Sequence, residues 1–193
     1  MSDAPPTPQL FPLFLRLSGK DVLVVGAGAV AERKIQDLVD AGASVRVVAL
    51  EVTPAVEALS QQGRITLEQR GFEETDVDGA WIVVAATTNP DVQKRACAAA
   101  DRARTFSIAV DDPPNGSAYS ASVIRRTPFT IAISSSGEAP ALSRLLREVL
   151  EQALPESDWV DAARALREKW RSEGTPMTSR FADLVRAFKQ HAG

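Results

Sequence analysis

The sequence predicts an α/β protein whose first half forms a mainly parallel sheet with helices on both faces. Short apolar runs of strand length alternate with longer amphipathic runs from about residue 11 to residue 110. This spacing is typical of βαβ crossovers, which place successive strands parallel. The strand runs are also apolar throughout, as in sheets that helices cover on both faces.

The ends of these elements are marked by residues that start or stop helices. The first strand, residues 21–25, leads into a glycine-rich turn, and the helix over residues 29–41 is followed by a glycine. The second strand covers residues 44–50, after which Thr53 and Pro54 form the cap and first turn of another helix. The remaining elements of this half are strands over residues 64–69, 80–86 and 105–110 and a helix over residues 90–104.

The second half is organised differently. Residues 113–116 break the alternation, and two strand runs over residues 117–126 and 129–134 predict a hairpin. A helix follows over residues 139–154, and two amphipathic helices lie between residues 158 and 189. We therefore expect a flexible tail over residues 1–10, a sheet domain over residues 11–112, a small α+β dimerisation region over residues 113–154 and a C-terminal helical region over residues 155–193.

Composition and charge argue against several classes of function. The net charge is −3 without a run of like charge, whereas a nucleic-acid-binding surface needs a concentrated basic stripe. The one cysteine, Cys97, indicates a reducing compartment, and the one histidine, His191, leaves no histidine-based metal site. The longest apolar run, residues 22–31, is far shorter than the ~20 residues of a membrane span. We expect a cytoplasmic protein without a nucleic-acid or membrane partner.

A glycine-rich motif, G-x-G-x-x-A, occupies residues 26–31 between the first strand and the first helix. Gly26 permits a tight turn, and Gly28 lets the backbone approach a pyrophosphate at the helix N-terminus. A motif in this position predicts a Rossmann-type NAD site in which Gly26, Gly28, Ala29 and Val30 contact the cofactor. The alternative is a turn that binds nothing. A Walker-type loop is excluded because no Gly-Lys-Ser/Thr follows.

Further positions at the carboxyl edge of the sheet are expected to contact the cofactor. Leu50 and Glu51 lie near the end of the second strand, where an acid about 20 residues beyond the motif binds the ribose. No arginine stands there to meet a 2′-phosphate, which favours NAD over NADP. Thr87, after the fourth strand, is expected on the nicotinamide-ribose side. The alternatives are a solvated role for Glu51 and a helix cap formed by residues 88–90.

A pair of acids follows the fifth strand at the same edge. A carboxylate beside a nicotinamide is placed for proton abstraction, which makes Asp111 the candidate catalytic base. Neighbouring side chains generally point in different directions, so only one of Asp111 and Asp112 is expected to act. The alternative is that the two acids serve only the turn that they form with residues 113–116.

A serine-rich loop precedes the helix over residues 139–154. Hydroxyls and free N–H groups at a helix start form an anion site, and nearby arginines would extend it into a groove for a small polyanionic ligand. The alternative is that the arginines are surface residues paired with Glu148 and Glu151. The residues expected to bind the ligand are Ser134, Ser135, Ser136, Arg125 and Arg144.

Several segments carry a resemblance to a known family. Residues 11–34 contain the glycine motif followed by Glu32-Arg33-Lys34, a run more specific than the glycines alone. Further matches are Ala85-Ala86-Thr87, Val110-Asp111, residues 132–140 and residues 142–147. Over roughly residues 10–154 the chain resembles the siroheme synthase dehydrogenase/chelatase family.

The resemblance implies a homodimer that oxidises precorrin-2 to sirohydrochlorin with NAD, a step of siroheme biosynthesis. The family's catalytic aspartate falls on Asp111, and its active-site serine, phosphorylated in some members, falls on Ser134. Precorrin-2 carries many carboxylate arms, which the arginines and the serine loop would suit. The family's cofactor contacts fall on Ala29, Val30, Leu50 and Glu51.

The chain departs from the family pattern at two positions. Ile108 stands where asparagine is common and Asp112 where a small residue is common, which leaves open which acid is the base. No methyltransferase domain follows, so the stand-alone form is expected. Two other functions stay open: a bifunctional enzyme that also inserts Fe²⁺ or Co²⁺ into sirohydrochlorin, and a non-catalytic NAD-sensing regulatory module.

The two tail helices carry more apolar surface than one small lobe can hide. They are therefore expected to pack between the subunits of a dimer, with a role in the core alone as the alternative. The side chains concerned are Trp159, Leu166, Trp170, Phe181, Leu184 and Phe188.

Overall fold

The computed structural model describes residues 9–127, 129–154 and 158–191, with side chains except at 158–159 and 188–191. Two compact units divide the chain after Ser120. The first unit contains β1 (Asp21–Ala27), α1 (Ala29–Asp40), β2 (Ser44–Val52), α2 (Pro54–Gln61), β3 (Thr66–Glu68), β4 (Ile82–Ala85), α3 (Pro90–Arg102) and β5 (Phe106–Ala109). Two 3₁₀ turns in this unit cover Glu74–Val77 and Pro113–Asn115.

The first unit is the predicted Rossmann-type sheet. Its five strands are all parallel and lie in the order β3-β2-β1-β4-β5. The chain leaves β1 in one direction to form β2 and returns on the other side of β1 to form β4, so the strand order reverses between β1 and β4. Ligands of open α/β sheets bind in the crevice outside the carboxyl ends of the strands at such a point.

Two buried cores hold the helices against the sheet. Because neighbouring strand residues point to opposite faces, Val22 and Val24 of β1 enter the core under α1 and α2, whereas Leu23 and Val25 enter the core under α3. The α3 side is built largely from small side chains, which allow the helix to lie close to the sheet. The residues of α3 in this core are Ala96, Cys97, Ala99 and Ala100.

The end of β2 extends beyond the predicted strand. Val25 pairs with Val48 and Ala27 pairs with Val52, so three residues of β2 lie opposite Gly26 alone. The prediction ended this strand at residue 50 because the apolar run ends there. In the structure Leu50 and Glu51 are both exposed although they belong to the strand. The bulge makes the two side chains part of a strand and places them beside the glycine turn.

The second unit contains the predicted hairpin and three helices: β6 (Ser122–Arg126), β7 (Phe129–Ile133), α4 (Pro140–Ala153), α5 (Asp158–Glu173) and α6 (Met177–His191). β6 and β7 are antiparallel, and α4 packs on them. α5 and α6 pack on each other, with the indole N–H of Trp170 donating to Asp183 at 3.3 Å. Trp159 and Phe188 lie outside the described side chains, and the packing of these helices between subunits stays a prediction.

The first predicted strand of the hairpin was too long at its start. The prediction began it at residue 117, but β6 begins at Ser122, because the preceding residues bind β5 instead. Ala118 donates its N–H to the carbonyl of Ser107 at 2.8 Å, and the Ser117 hydroxyl accepts from the N–H of Ser107 at 2.9 Å. The boundary between the two parts of the chain was expected after residue 112 and is observed after Ser120. The difference is residues 113–120, part of which binds β5.

A buried carboxylate joins the 3₁₀ turn at Glu74–Val77 to the sheet. Asp76, 5% exposed, accepts hydrogen bonds from Arg70 at 2.6 and 2.9 Å, from Arg46 at 3.2 Å and from the N–H of Glu73 at 2.9 Å. Burial alone would raise the pKa of Asp76, but the bonds from Arg70, Glu73 and Arg46 outweigh it and lower the pKa below its usual value.

We expect Asp76→Asn to lower the free energy of unfolding by about 1–3 kcal/mol at pH 7, because it removes the buried negative charge that Arg46 and Arg70 share and one of the two oxygens that accept from them. Since the folded pKa is depressed, the contribution of Asp76 is complete above the unfolded value of about 3.9 and is lost as the pH falls through the folded value. Urea unfolding at several pH values measures this, with the exposed Asp78→Asn as control. A difference between wild type and Asp76→Asn that keeps the same size at every pH, rather than shrinking as the pH falls, would contradict this assignment.

Candidate active site

The glycine turn at the end of β1 is fixed by the loop after β4. Gly26 has a φ of +109°, and a Cβ at this position would lie 2.4 Å from the carbonyl oxygen of Ala86. The same loop donates the N–H of Ala86 to the carbonyl of Val25 at 2.8 Å. Neither the backbone conformation nor the space admits a side chain, so glycine is required here by the protein itself.

Gly28, in contrast, is not required by the fold. It is the N-cap of α1, with a φ of −81° that any residue adopts, and a Cβ here would meet nothing within 4 Å. The space beside it is open, and helix geometry leaves the N–H groups of the first turn without intrahelical acceptors. No described side chain caps them. Ala29 and Val30 are exposed at this turn, so an anion can reach their N–H groups.

The bulge of β2 lies beside the glycine turn and carries the residues that the sequence predicted to contact the cofactor. Leu50 is 73% exposed and offers an apolar surface, and Glu51 beside it is exposed. Next to them Thr53 donates its N–H to the carbonyl of Ala27 at 3.2 Å, whereas its buried hydroxyl has no hydrogen-bond partner in the described part of the chain. Sequence reasoning treated Thr53 only as a helix cap. It does precede α2 but makes no side-chain cap bond.

These observations fit a dinucleotide. Open space and free N–H groups at Gly28 and Ala29 suit a pyrophosphate, and the exposed Leu50 suits the adenine ring. The orphaned hydroxyl of Thr53 supplies a polar group that a ligand can satisfy, since a buried hydroxyl without a partner is costly. Glu51 would accept from the ribose.

The loop after β4 forms the opposite side of the crevice. The hydroxyl of Thr87, half-buried, accepts from the N–H of Asn89 at 3.2 Å and keeps its own hydrogen to donate. Asn89 caps α3 by accepting from the N–H groups of Asp91 and Val92. The helix cap that the sequence allowed is therefore present, and the cofactor contact of Thr87 stays a prediction.

A buried amide that sequence reasoning missed joins the ends of β4 and β5. Gln93 of α3 is 6% exposed, and its side-chain N–H₂ donates to the carbonyl of Ala85 at 3.2 Å and to that of Val110 at 2.8 Å. These bonds hold the residue immediately before Asp111. The available signal was a glutamine at helical spacing from Ala96 and Ala100, where an apolar residue is expected.

Asp111 is exposed at the carboxyl end of β5, with a left-handed backbone of φ +61°. The residues before it, Ile108 and Val110, pack against the core under α1. The Asp111 carboxylate is close enough to Lys34 of α1 for its charge to act on the pKa of that lysine. Asp111 therefore lies at the carboxyl end of β5, within electrostatic reach of the helix that begins at Gly28.

Asp112 is placed differently. Its carboxylate accepts a hydrogen bond from the side-chain amide of Asn115, and its carbonyl accepts from the N–H of the same residue at 3.0 Å. These bonds hold the 3₁₀ turn at Pro113–Asn115, so the turn role that the sequence allowed for both acids applies to Asp112. The Asp111 side chain takes no part in these bonds.

Lys34 is a second residue that sequence reasoning did not assign to the site. Its ammonium donates to the hydroxyl of Ser120 at 3.1 Å. Burial lowers the pKa of Lys34, an effect that the charge of Arg33 reinforces and the charges of Asp37 and Asp111 oppose. The segment that ends the first unit is thus linked to the helix of the glycine motif.

The serine loop lies in the second unit and satisfies part of its own backbone. The Ser134 hydroxyl accepts from the N–H of Ser136 at 3.1 Å, and the Ser135 hydroxyl accepts from the N–H of Ala139 at 3.1 Å. Ser136 has a left-handed backbone with φ +54°. Pro140, the first residue of α4, has no N–H. The anion-binding role of Ser134, Ser135 and Ser136 stays a prediction.

Two arginines of α4 are paired with Glu148 and Glu151, which was the alternative to a role in ligand binding. Arg144 donates to Glu148 at 2.9 Å, and Arg147 donates to Glu151 at 2.6 Å. Both pairs lie one helical turn apart on α4. Arg125 is exposed on β6. Contacts of Arg125 and Arg144 with a polyanionic ligand stay predictions.

Three functional expectations concern metals, membranes and the thiol. Within the described ranges no three His, Cys, Asp or Glu side chains come together as metal ligands, and metal insertion as an additional activity stays a prediction. None of the helices in the part of the chain described is both long and apolar enough to cross a membrane. Cys97 is buried, and burial raises the pKa of its thiol, which is unfavourable for a nucleophile.

Comparison with known proteins identifies the family of the first unit. Residues 13–122 match the family described as putative NAD(P)-binding. The chain belongs to this family. Residues 126–153 match the family described as sirohaem biosynthesis protein central, so the match to the NAD(P)-binding family is followed along the chain by a match to a second family. The resemblance to siroheme synthases that the sequence predicted is confirmed.

Curated relatives of this NAD(P)-binding chain are larger proteins. Siroheme synthase 3 of Aeromonas hydrophila is 44% identical over 171 residues, which cover 88% of this chain and 36% of that protein. Siroheme synthase 1 of Aeromonas salmonicida is 46% identical over 145 residues, or 75% of this chain and 31% of that protein. The chain thus spans about a third of the length of the curated relatives it matches.

A solved structure extends the match to nearly the whole chain. The structure named SirC, precorrin-2 dehydrogenase, is 22% identical with a TM-score of 0.73, covering 94% of this chain and 98% of that chain. At this identity the likeness concerns the fold. It confirms the prediction of a Rossmann-type sheet followed by a small α+β region and a helical region.

Two glycine substitutions separate the structural from the binding role of the motif. We expect Gly28→Ala to leave the melting temperature unchanged and to raise the Kd for NAD about tenfold or more, because the methyl group occupies the space of the pyrophosphate. Gly26→Ala should instead lower the free energy of unfolding by about 2–4 kcal/mol through the clash with Ala86. Calorimetric titration with NAD and thermal unfolding measure both. Unchanged NAD affinity in Gly28→Ala would contradict the placement of the pyrophosphate.

Proposed function

We propose that this chain catalyses the NAD-dependent oxidation of precorrin-2 to sirohydrochlorin in siroheme biosynthesis. The observation that carries the proposal is Asp111, an exposed acid directly after β5 whose charge acts on Lys34 of the helix that begins at Gly28. The names of the relatives, siroheme synthase and precorrin-2 dehydrogenase, support the choice of a tetrapyrrole as substrate. A helix N-terminus at Gly28 that can bind a dinucleotide phosphate and an acid at Asp111 that can accept a proton lie at the same edge of the sheet. This pair of groups supports an oxidoreductase.

The proposed cofactor is NAD rather than NADP. The exposed Glu51 lies in the bulge beside the glycine turn, where an acid accepts from the ribose hydroxyls. A 2′-phosphate at this place would meet a like charge, which disfavours its binding. Leu50 would cover one face of the adenine ring.

The reaction removes a hydride and a proton from the macrocycle. When bound, NAD accepts the hydride. Asp111 would accept the proton, since its carboxylate is exposed and is not among the groups that hold the turn. Gln93 would hold the Asp111 backbone in position through the carbonyl of Val110, because proton transfer depends on the placement of the base within hydrogen-bond reach.

The two neighbouring aspartates provide the test of this assignment. We expect Asp111→Asn to lower kcat by about 10²–10⁴-fold, the usual contribution of a general base, while the Kd for NAD stays unchanged. Asp112→Asn, the matched control, should keep kcat within about tenfold, because it alters the turn and removes no base. The measurement is NADH absorbance together with the change in the macrocycle spectrum after precorrin-2 and NAD are added.

The same assay separates the proposal from its rivals. A fully active Asp111→Asn would remove Asp111 from the mechanism. NAD binding by the wild type without any NADH formation from precorrin-2 would refute the enzymatic proposal and indicate an NAD-sensing module.

We also propose that the chain forms a homodimer through α4. Five apolar side chains at helical spacing form one exposed face of this helix, and a contiguous apolar face of this kind marks a protein interface. Phe129 of the neighbouring β7 is also exposed. The five side chains are Leu142, Leu145, Leu146, Val149 and Leu150.

A charge in the centre of this face should dissociate the dimer. We expect Leu145→Asp to sediment as a monomer, because the buried carboxylate would lie unpaired in an apolar interface. Arg144→Asp, which introduces the same charge at an exposed neighbouring position, should sediment as a dimer. Sedimentation velocity at micromolar concentration measures both. A wild type that is monomeric at that concentration, or a dimeric Leu145→Asp, would contradict the proposed interface.

A further inference from the structure

Lys34 extends from the helix of the glycine motif towards the carboxyl edge of the sheet. Side chains of a helix tilt towards its N-terminus, and the N-terminus of α1 lies at that edge, directly after Gly28. Lys34 is in the second turn of α1. Its ammonium is held at 3.1 Å from the hydroxyl of Ser120, and the charge of Asp111 acts on it. The cation therefore belongs to the helix of the glycine motif and contacts the segment that follows the proposed base.

The ammonium of Lys34 lacks an anionic partner at contact distance. It has three hydrogens to donate, and one of them goes to the neutral hydroxyl of Ser120. Among the described residues no carboxylate oxygen lies within the 4.0 Å of an ion pair, unlike the pairs that Arg46, Arg70 and Arg102 make in the same unit. Lys34 is also half-buried, and a partly desolvated charge is costly until an anion pairs with it.

We propose that Lys34 is a substrate-binding residue that pairs with a carboxylate arm of the tetrapyrrole. The inference rests on the proposed function. An arm held by Lys34 would bring the macrocycle towards Asp111, because Lys34 contacts Ser120 of the segment after β5 and lies within reach of the charge of Asp111. The Ser120 hydroxyl would orient the ammonium and leave its other two hydrogens for the arm.

The pyrophosphate of the cofactor is a second anion that Lys34 could bind at this edge of the sheet. The pyrophosphate of the cofactor binds at the first turn of α1, and a phosphate oxygen is also a partner for a lysine. The choice of the substrate carboxylate follows from the position of Lys34 beyond the first turn of α1 and from its hydrogen bond to Ser120, which belongs to the segment after β5 rather than to the glycine motif. The affinities for the two ligands distinguish these sources.

Lys34→Met removes the charge and preserves most of the side-chain volume. We expect it to raise the Kd for sirohydrochlorin, followed by tryptophan fluorescence, about tenfold or more, as for loss of a charge-assisted hydrogen bond. The Kd for NAD should stay within about twofold, and kcat with precorrin-2 should stay within about threefold, since uniform binding affects KM alone. Lys34→Arg should retain most of the affinity because it keeps the charge. Arg33→Met, an exposed neighbour on α1, should bind as the wild type does.

Each other outcome overturns the inference in a recognisable way. An unchanged Kd for sirohydrochlorin removes Lys34 from the substrate site, and a raised Kd for NAD alone assigns Lys34 to the cofactor phosphate. A lower kcat with unchanged affinity makes Lys34 a positioning residue for Asp111. If Lys34→Met does not fold by circular dichroism, Lys34→Gln takes its place. Failure of the wild type to reduce NAD refutes the proposed function, whereas weaker sirohydrochlorin binding by Lys34→Met would still locate the anion site.

Discussion

The contact between Gly26 and the carbonyl of Ala86 is the constraint on which the rest of the site depends. It brings the loop after β4 against the turn after β1, at the point where the strand order reverses. The chain must then leave the turn directly into α1, so the helix begins at Gly28 with its first N–H groups facing open space. One backbone contact thereby creates both the crevice and the anion site within it.

The acid at the other end of the crevice depends on a second buried contact. Gln93 donates to the carbonyls that end β4 and precede Asp111, so α3 fixes the position of the β5 end relative to the glycine turn. Asp112 takes the structural role in the turn and leaves its neighbour exposed. Asp112 and Asp111 differ in role because the turn requires only the side chain of Asp112. The glycine turn and Asp111 are thus held on one sheet, which is the arrangement that the proposed hydride transfer needs.

The sequence predicted what local patterns determine and missed what distant pairing determines. Apolar strand runs, helix stops and the glycine motif were sufficient for the sheet, because each depends on neighbours in the chain. The bulge opposite Gly26 and the attachment of Ser117 to β5 depend on pairing between separate elements. Lys34 was missed for the same reason, since its partner Ser120 is 86 residues away in the chain. The position of Asp111 after β5 was predictable because the apolar pattern marks the end of that strand.

The most direct measurement is a crystal structure of the chain with NAD bound. The account predicts the pyrophosphate on the N–H groups of Ala29 and Val30 and the adenine over Leu50. The nicotinamide ring should lie beyond the end of β4, with the Asp111 carboxylate facing it. A dinucleotide bound elsewhere on the sheet, or a nicotinamide from which Asp111 is turned away, would contradict the account.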